Sequence, residues 1–501
     1  MAPIPQPLSI VAYLAAVVRA HGARPAIFAD GAPWSYRELW TRAGEIARWL
    51  LNDERFTPTS AVGLIGSNSP QDLAAYLAVL RAGGVVVPLN ERLSSEEISR
   101  QLDHVRAVGL LAGEMLDDQR EVFGSRTPVW PIDECHSDRS ARSPAVSIRS
   151  TACILLTSGS TGQPKGVVHS HGTMLHASLQ LAGALPFSPD NRSLAFLPFY
   201  ASIPEQILPA LLTGGSIDIL KRFDTESIAR GCRAGATSFD AVPTLVSAVL
   251  DDIAVDDLRR LRWMSFASEP MPVPLLERWW DSVPDVPAYQ FYGMTECLPI
   301  TVANPSQLRR RPESVGVPYP TSELTIVDDG LRAVCPGDPG EILCRTPARM
   351  VGYLGDPELT KSATTPSGAM RTGDLGRIDE DGALILTGRL KDLIITGGFN
   401  VAPGEIEAVA CGHPSVAAAV VVGIPDPRWG ETPVVVAVPA AGTTLEPSEL
   451  LGYCRRELAG FKRPSGAALV DRIPMTGIGK SAKGVVRQRI LEGGITLVRS
   501  H

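Results

Sequence analysis

The stretch TSGSTGQPKG, residues 157–166, sets three glycines among four hydroxyl side chains and carries a single cation, Lys165. Glycine lets a backbone approach an anion closely. Successive N–H groups form an anion-binding concavity, to which a lysine adds a point charge. The ligand that suits such a loop is a polyphosphate. Glycine- and serine-rich stretches also serve as plain linkers, so the flanks matter. Apolar ACILL precedes the loop and GVVHS follows it, so it joins two strand-like segments. The Walker-type phosphate loop needs Ser or Thr after its lysine. Here Pro164 precedes Lys165 and Gly166 follows, which excludes that type.

Five further stretches carry similar chemistry. FYGMTE (291–296) ends on Glu296 beside Thr295. RTGDLG (371–376) holds Asp374 in a glycine-flanked turn, and GRLKD (388–392) follows with Arg389 and Lys391. GGFNVAPGEIE (397–407) opens on Gly397 and Gly398, and PMTGIGKSAKG (474–484) sets Lys480 in another glycine-rich turn. Each alone has an ordinary explanation: a turn, a capping aspartate, or a solvated lysine such as Lys480 or Lys483. Six in one order form a constellation.

The elements that must position them follow an α/β pattern. AVGLIGSNSPQDLAAYLAVLRAGGVVVPLN reads as strand, loop, helix, Gly-Gly stop, strand. GGSIDIL and ATSFDAVP repeat the style, which predicts largely parallel sheets with helices. From about Glu323, ELTIVDDG, GEILCRT and DGALILTGR predict a small β-rich subdomain. After 390 the chain restarts as strand, Gly-Gly turn, helix, strand. The expectation is a large N-terminal domain, 1–390, and a small mobile α+β domain, 391–501.

A chain of 501 residues is too long for one core. A net charge of −7 lacks the basic face that a nucleic-acid partner needs. The eight cysteines include no C-x-x-C pair, which predicts buried free thiols and neither zinc site nor disulfide framework. The N-terminal apolar run has no basic leader before it and reads as an amphipathic helix. No stretch approaches the ~18 apolar residues of a membrane span, and the chain reads as cytoplasmic.

The six stretches together resemble the adenylate-forming superfamily: acyl-CoA synthetases, aryl-CoA ligases, luciferases and peptide-synthetase adenylation domains. The resemblance runs from AYLAVLRAGGVVVPLN to Lys483. It implies that a carboxylate attacks the α-phosphate of ATP, giving an acyl-adenylate and pyrophosphate. Thr157, Ser158, Gly159, Ser160, Thr161 and Lys165 would hold the departing phosphates. Glu296, with Thr157, would hold Mg²⁺, a hard cation suited to carboxylate oxygen, and Thr295 would donate to the α-phosphate. Tyr292 would stack on adenine, with Gly293 beside it and Ser268, Glu269 and Pro270 on the other side. Asp374 would accept the ribose hydroxyls with Arg389 nearby. Lys480 would reach the α-phosphate and the carboxylate as charge is redistributed. For the second step, Lys391 matches the hinge about which the C-terminal domain turns. Gly397, Gly398 and Phe399 would then line a tunnel for the pantetheine arm of CoA.

Two positions depart from the superfamily pattern. Where many acyl-CoA synthetases read PLFH, this chain has PFYA, so Ala201 replaces the histidine or aromatic gate and Tyr200 precedes it. The acyl pocket would comprise Tyr200, Ala201, Ser268 and Gly293. An adenine-side segment that usually reads Gly-Gly-x-Pro is ASEP here. The reading is an ATP- and Mg²⁺-dependent acid–thiol ligase for a bulky cyclic or aryl acid, acting as a monomer or homodimer. The alternatives are a ligase that loads a carrier-protein phosphopantetheine or another nucleophile, and a non-catalytic nucleotide-binding regulator. A luciferase-like oxygenase has no feature here that demands it.

Overall fold

The computed structural model describes residues 8–29, 32–114, 123, 127–137, 141, 143–157, 164–269, 271–397, 399–440, 442–475 and 482–499. Within segment 61–90, strand Ala61–Ile65 leads to helix Pro70–Arg81 and strand Val85–Pro88. The helix begins at a capping box, in which Ser69 accepts from the Asp72 N–H and Asp72 reaches back to the Ser69 N–H. Pro70 presets φ in the first turn. The helix ends before Gly83, whose φ of +78° suits a residue without Cβ. Every residue from Leu73 to Leu80 is buried, which marks a helix covered on all sides.

The two strands pair in parallel, and Gly109–Ala112 pairs in parallel on the other side of Ala61–Ile65. They belong to a seven-stranded sheet. One edge of it carries the antiparallel hairpin Thr151–Thr157 with Lys165–Ser170, and then the short strand Gly352–Tyr353. A nine-stranded sheet runs parallel from Pro25–Phe28 to Ala288–Met294, and Cys297–Ala303 turns back beside the latter. One apolar core, including Ile27, Leu50, Leu77, Val86 and Phe291, spans both sheets and the helices between them.

The predicted change of texture near Glu323 is a four-stranded antiparallel sheet of Glu323–Val327, Gly340–Arg345, Met370–Ile378 and Leu384–Arg389. A 3₁₀ turn, Leu390–Asp392, leads out of it. Beyond this the expected order is present with one addition. Residues after Gly397 form a second strand, Phe399–Val401, paired with Ile394–Thr396. The glycine turn is therefore a hairpin tip, the place where positive φ is wanted; Gly397 has φ +56°. Two apolar clusters draw only on residues from 394 onward. Cysteines 135, 153, 232, 297, 344 and 454 are buried, whereas Cys335 is exposed, and all are free. Among the described residues no helix is long and apolar enough to cross a membrane.

Candidate active site

The glycine-rich loop closes a hairpin: Thr157 and Lys165 face each other as cross-strand partners at its mouth. Ser158, Gly159, Ser160 and Thr161 lie outside the described residues. Lys165 places its ammonium 5.6 Å from the centroid of the Tyr353 ring. The Tyr353 hydroxyl donates to Glu296 Oε1 at 2.7 Å. Burial, with Glu296 alongside, holds that phenol protonated far above its usual range. One phenol ring thus connects the hairpin cation to the carboxylate of the Thr295–Glu296 turn.

That turn joins strands of the nine-stranded sheet, yet three groups from the seven-stranded sheet and its flank fasten it. Tyr353 takes the Glu296 side chain, and the Met350 N–H donates to the Glu296 carbonyl at 2.7 Å. His169 holds the Thr295 carbonyl at 2.8 Å through Nε2. A carbonyl only accepts, so Nε2 carries the hydrogen. Burial lowers the His169 pKa, and the neutral ring leaves Nδ1 as an acceptor, 3.1 Å from the Thr173 hydroxyl.

The second cluster forms around Asp374, which is 7% exposed. Its Oδ2 accepts the Tyr292 hydroxyl at 2.7 Å, and its Oδ1 lies 3.0 Å from Arg389 Nε. Asp374 and Arg389 are cross-strand partners, so the sheet register sets the pair. The Asp374 N–H donates to Thr372 Oγ1 at 3.0 Å. Tyr292 is buried, and burial together with Asp374 pushes its phenol well up. A Cβ on Gly293 would stand 2.5 Å from Leu298 Cδ1 and 3.1 Å from the Cys297 carbonyl, so the Leu298 side chain would have to shift.

In the segment that the resemblance assigns to the acyl pocket, Ser268 has φ +75°. This left-handed conformation explains why glycine is usual at the position. Glu269 is half-buried, and Pro270 lies outside the described residues. Tyr200 and Ala201 belong to the one-turn helix Phe199–Ser202, which runs into a π-turn at Ile203–Ile207. Asn68 pins its start, donating to the Leu197 carbonyl at 3.0 Å and accepting from the Phe199 N–H at 2.9 Å. Tyr200 lines a cavity of ≈ 20 Å³ together with Gly66, Asp72 and Glu91. Burial first, then Glu91, raises its phenol to about 12.

The C-terminal residues form a third group. Lys391 is exposed on the 3₁₀ turn. Gly397 packs so closely on Trp429 that a Cβ would meet Cε3 at 2.7 Å; Gly398 lies outside the described residues. Phe399 stacks on Phe461, with ring centroids 4.7 Å apart. Ile395, Phe399, Trp429 and Phe461 are all substantially exposed. Arg428 lies 4.6 Å from the Trp429 ring and Lys462 5.7 Å from the Phe461 ring. Lys480 lies outside the described residues. The Ala482 N–H donates to the Pro474 carbonyl at 2.8 Å, and Lys483 pairs with Glu407 at 2.8 Å.

Sequence reasoning missed Tyr353, His169, Asn68, Trp429 and Phe461. An aromatic or histidine in a short strand or turn reads as packing until tertiary structure supplies its partner.

Residues 14–354 match the family of AMP-binding enzymes, and residues 405–480 match the AMP-binding enzyme C-terminal domain. A feruloyl-CoA synthase of Amycolatopsis sp is 33% identical over 478 residues, covering 92% of this chain and 94% of that protein. An indoleacetate–CoA ligase of Aromatoleum aromaticum is 32% identical over 464 residues, covering 86% of this chain and 88% of its own length. Among solved structures, ATP-bound MatB from Rhodopseudomonas palustris superposes with a TM-score of 0.88 at 29% identity, covering 96% of this chain and 99% of that one.

Proposed function

We propose, for a chain that belongs to the AMP-binding enzyme family and is an AMP-forming acyl-CoA synthetase, that its acid is a bulky aryl or cyclic carboxylate. In the reaction, a carboxylate oxygen attacks the α-phosphate of ATP and pyrophosphate leaves. The CoA thiol then attacks the acyl carbon and AMP leaves. The protein's part is chiefly positioning and charge neutralisation.

The observation that carries the site assignment is the convergence of Lys165, Tyr353 and Glu296 at the mouth of the phosphate hairpin. Thr157 and Lys165 receive the β- and γ-phosphates, with the loop residues 158–161 between them. A cation and an anion one phenol ring apart suit a metal-bound phosphate, and Tyr353 holds Glu296, through Oε1, in place to face the metal. Bound Mg²⁺ neutralises phosphate charge there. Asp374 takes the ribose hydroxyls. It is already aligned by Arg389, and Tyr292 lies against the base. Lys480, by resemblance, serves the α-phosphate and the carboxylate.

The boundary between the two domains falls at the turn containing Lys391, beyond which the chain builds its own cores. The exposed aromatic group at Phe399, Phe461 and Trp429, edged by Arg428 and Lys462, suits a purine with phosphates. It supports CoA as the thiol over a carrier protein.

The acid class rests on Ala201, which lacks the ring that would fill the carboxylate end of the pocket. The names of the aryl-acid relatives point the same way. A panel of acids with ATP and Mg²⁺, scored for acyl-AMP and then acyl-CoA by mass spectrometry, tests it. Aryl or polycyclic acids are expected to exceed acetate and propionate. Ala201→His is expected to depress turnover of bulky acids and spare small linear ones. Equal effects on large and small acids, or a wild-type preference for acetate, would sink the open-pocket reading.

A further inference from the structure

Asp240 is a buried carboxyl that the adenylation chemistry does not use. It lies near the end of strand Ser238–Ala241. Across the next two parallel strands it stands opposite Ser265, and Ser265 stands opposite Tyr289. Alternate residues of a strand point to opposite faces of a sheet. Phe239 and Ala241, on either side of Asp240, pack into the core on one side with Met264, Phe266 and Ala288. Trp263, Ala267 and Tyr289 belong to the core on the other side. Asp240 and Ser265 therefore point with Tyr289 into that second layer. The same layer holds Phe199, Ile203 and Ile207, from the helical turns that carry Tyr200 and Ala201. All three polar groups stand near the carboxyl ends of parallel strands, where α/β sheets receive ligands.

The covering turns are pinned close by. Gln206 Nε2 donates to Ser193 Oγ at 3.0 Å and to the Leu194 carbonyl at 2.7 Å, and the strand of Ser193 neighbours that of Asp240. Ser265 precedes Ser268 by three residues, about 10 Å of extended chain. An aryl acid with its carboxylate at Ser268 and Gly293 brings the far edge of its ring to this depth when a short spacer separates the two. The chemistry of the row is specific. Asp240 Oδ1 accepts the Ser265 hydroxyl at 2.8 Å. Burial first, then Glu205, pushes the Asp240 carboxyl far up, so it holds its proton at neutral pH. Burial also raises the Tyr289 phenol, which makes no hydrogen bond among the described residues. Neither is sealed off: Asp240 keeps 6% exposure and Tyr289 is half-buried. A protonated carboxyl, a serine hydroxyl and a phenol each donate and accept hydrogen bonds. The neutral group that matches all three is a hydroxyl, which brings no charge into an apolar layer. A carboxylate on the ring would meet Glu205 as a like charge.

We propose that Asp240, with Tyr289, reads a hydroxyl on the far edge of the acid's ring, so that the preferred substrates are hydroxyaryl acids with a short spacer between ring and carboxylate. This inference rests on the aryl-acid reading of the pocket. An apolar pocket discriminates weakly between acids of similar size. A site built to bond a substrate hydroxyl rejects the analogue without it strongly, because its own buried polar groups are then left unpaired.

The test compares kcat/KM for CoA thioester formation from cinnamate, meta- and para-hydroxycinnamate and para-methoxycinnamate, with the full chain, ATP and Mg²⁺. At least one hydroxy acid is expected to exceed cinnamate and the methoxy acid on the order of 10²-fold. Asp240→Leu is expected to abolish that ratio by lowering turnover of the hydroxy acid, with KM for ATP unchanged. Tyr289→Phe should lower the ratio about tenfold. A merely structural role would lower all four acids alike. The wild-type comparison stands even if Asp240→Leu does not fold. Equal turnover of hydroxylated and unsubstituted acids by the wild type, or a ratio undiminished in Asp240→Leu, overturns this inference and leaves the aryl-acid reading standing. If no aryl acid is turned over, both fall.

Discussion

The nucleotide end and the acyl–thiol end of the site are built differently. Around Asp374 and Glu296 each carboxylate is held by partners: Tyr292, Arg389 and Tyr353. The backbone at Glu296 is pinned through its own carbonyl and that of Thr295. Around Ser268, Ala201 and Gly397 the structure relies instead on unusual backbone, missing side chains and exposed rings. On the proposed assignment the first end meets a ligand that is the same in every turnover, so fixed dipoles cost nothing to reorganise. The second must admit an acid and then a thiol, and the device there is space.

The largest predicted effect breaks the nucleotide end. Asp374→Ala removes the acceptor of a buried phenol and leaves Arg389 without its cross-strand partner. Loss of an acceptor from a buried donor costs about 1–3 kcal/mol, and on the proposed assignment the ribose loses its carboxylate as well. We expect kcat/KM for ATP to fall on the order of 10²-fold, measured by acid-dependent pyrophosphate exchange. Asp374→Asn should lose less, since it keeps an acceptor. A loss below tenfold in the alanine variant would mean that the ribose hydroxyls are held elsewhere.

Gly397→Ala should separate the two ends. The residue sits at φ +56°, and its new Cβ would meet Trp429 at 2.7 Å. The left-handed backbone costs alanine about 1–2 kcal/mol, and the Trp429 ring must shift as well. Thioester formation from supplied acyl-adenylate should drop roughly tenfold, with pyrophosphate exchange nearly unchanged. Equal loss of both steps would show that this hairpin serves the first step too.

Tyr353→Phe sharpens the comparison from the other side. It deletes one hydrogen bond to a carboxylate, worth about 1.5–3 kcal/mol, and keeps the ring beside Lys165. The expected result is about a tenfold loss of adenylation and a higher Mg²⁺ requirement. The thioester step should be spared. An unchanged Mg²⁺ titration would remove Tyr353 from the metal side of the site.

These residues also mark how far the sequence was legible. Thr157, Lys165, Glu296, Asp374 and the tip glycine Gly397 stand in motifs whose residue types and short spacing suit, on the proposed assignment, phosphate, ribose and close approach. The strands and helices that carry them followed from the alternation of apolar strands, helical periods and glycine stops, as over residues 61–90. Tyr353 meets Glu296 across 57 residues, and His169 meets Thr295 across 126. No local pattern encodes such a meeting.

The smallest effect asks whether the looseness of the acyl end is strain with a purpose. Ser268 holds φ +75°, a conformation costing a non-glycine residue about 1–2 kcal/mol. Ser268→Gly relieves that cost, but it frees the unfolded chain by about 0.5–1 kcal/mol. The first term is the larger, so the variant should be more stable by about 0.5 kcal/mol, read as a shift in urea midpoint at constant slope. Activity then decides the meaning. Strain tolerated for its hydroxyl is a trade of stability for function. In that case the more stable variant should lose part of its turnover of the preferred acid while ATP kinetics hold. A variant that is more stable and equally active would show that the serine is incidental, and that the acyl end discriminates by the space at Ala201 alone. A less stable variant would mean that the left-handed backbone here is held by contacts of the serine side chain that outweigh its cost.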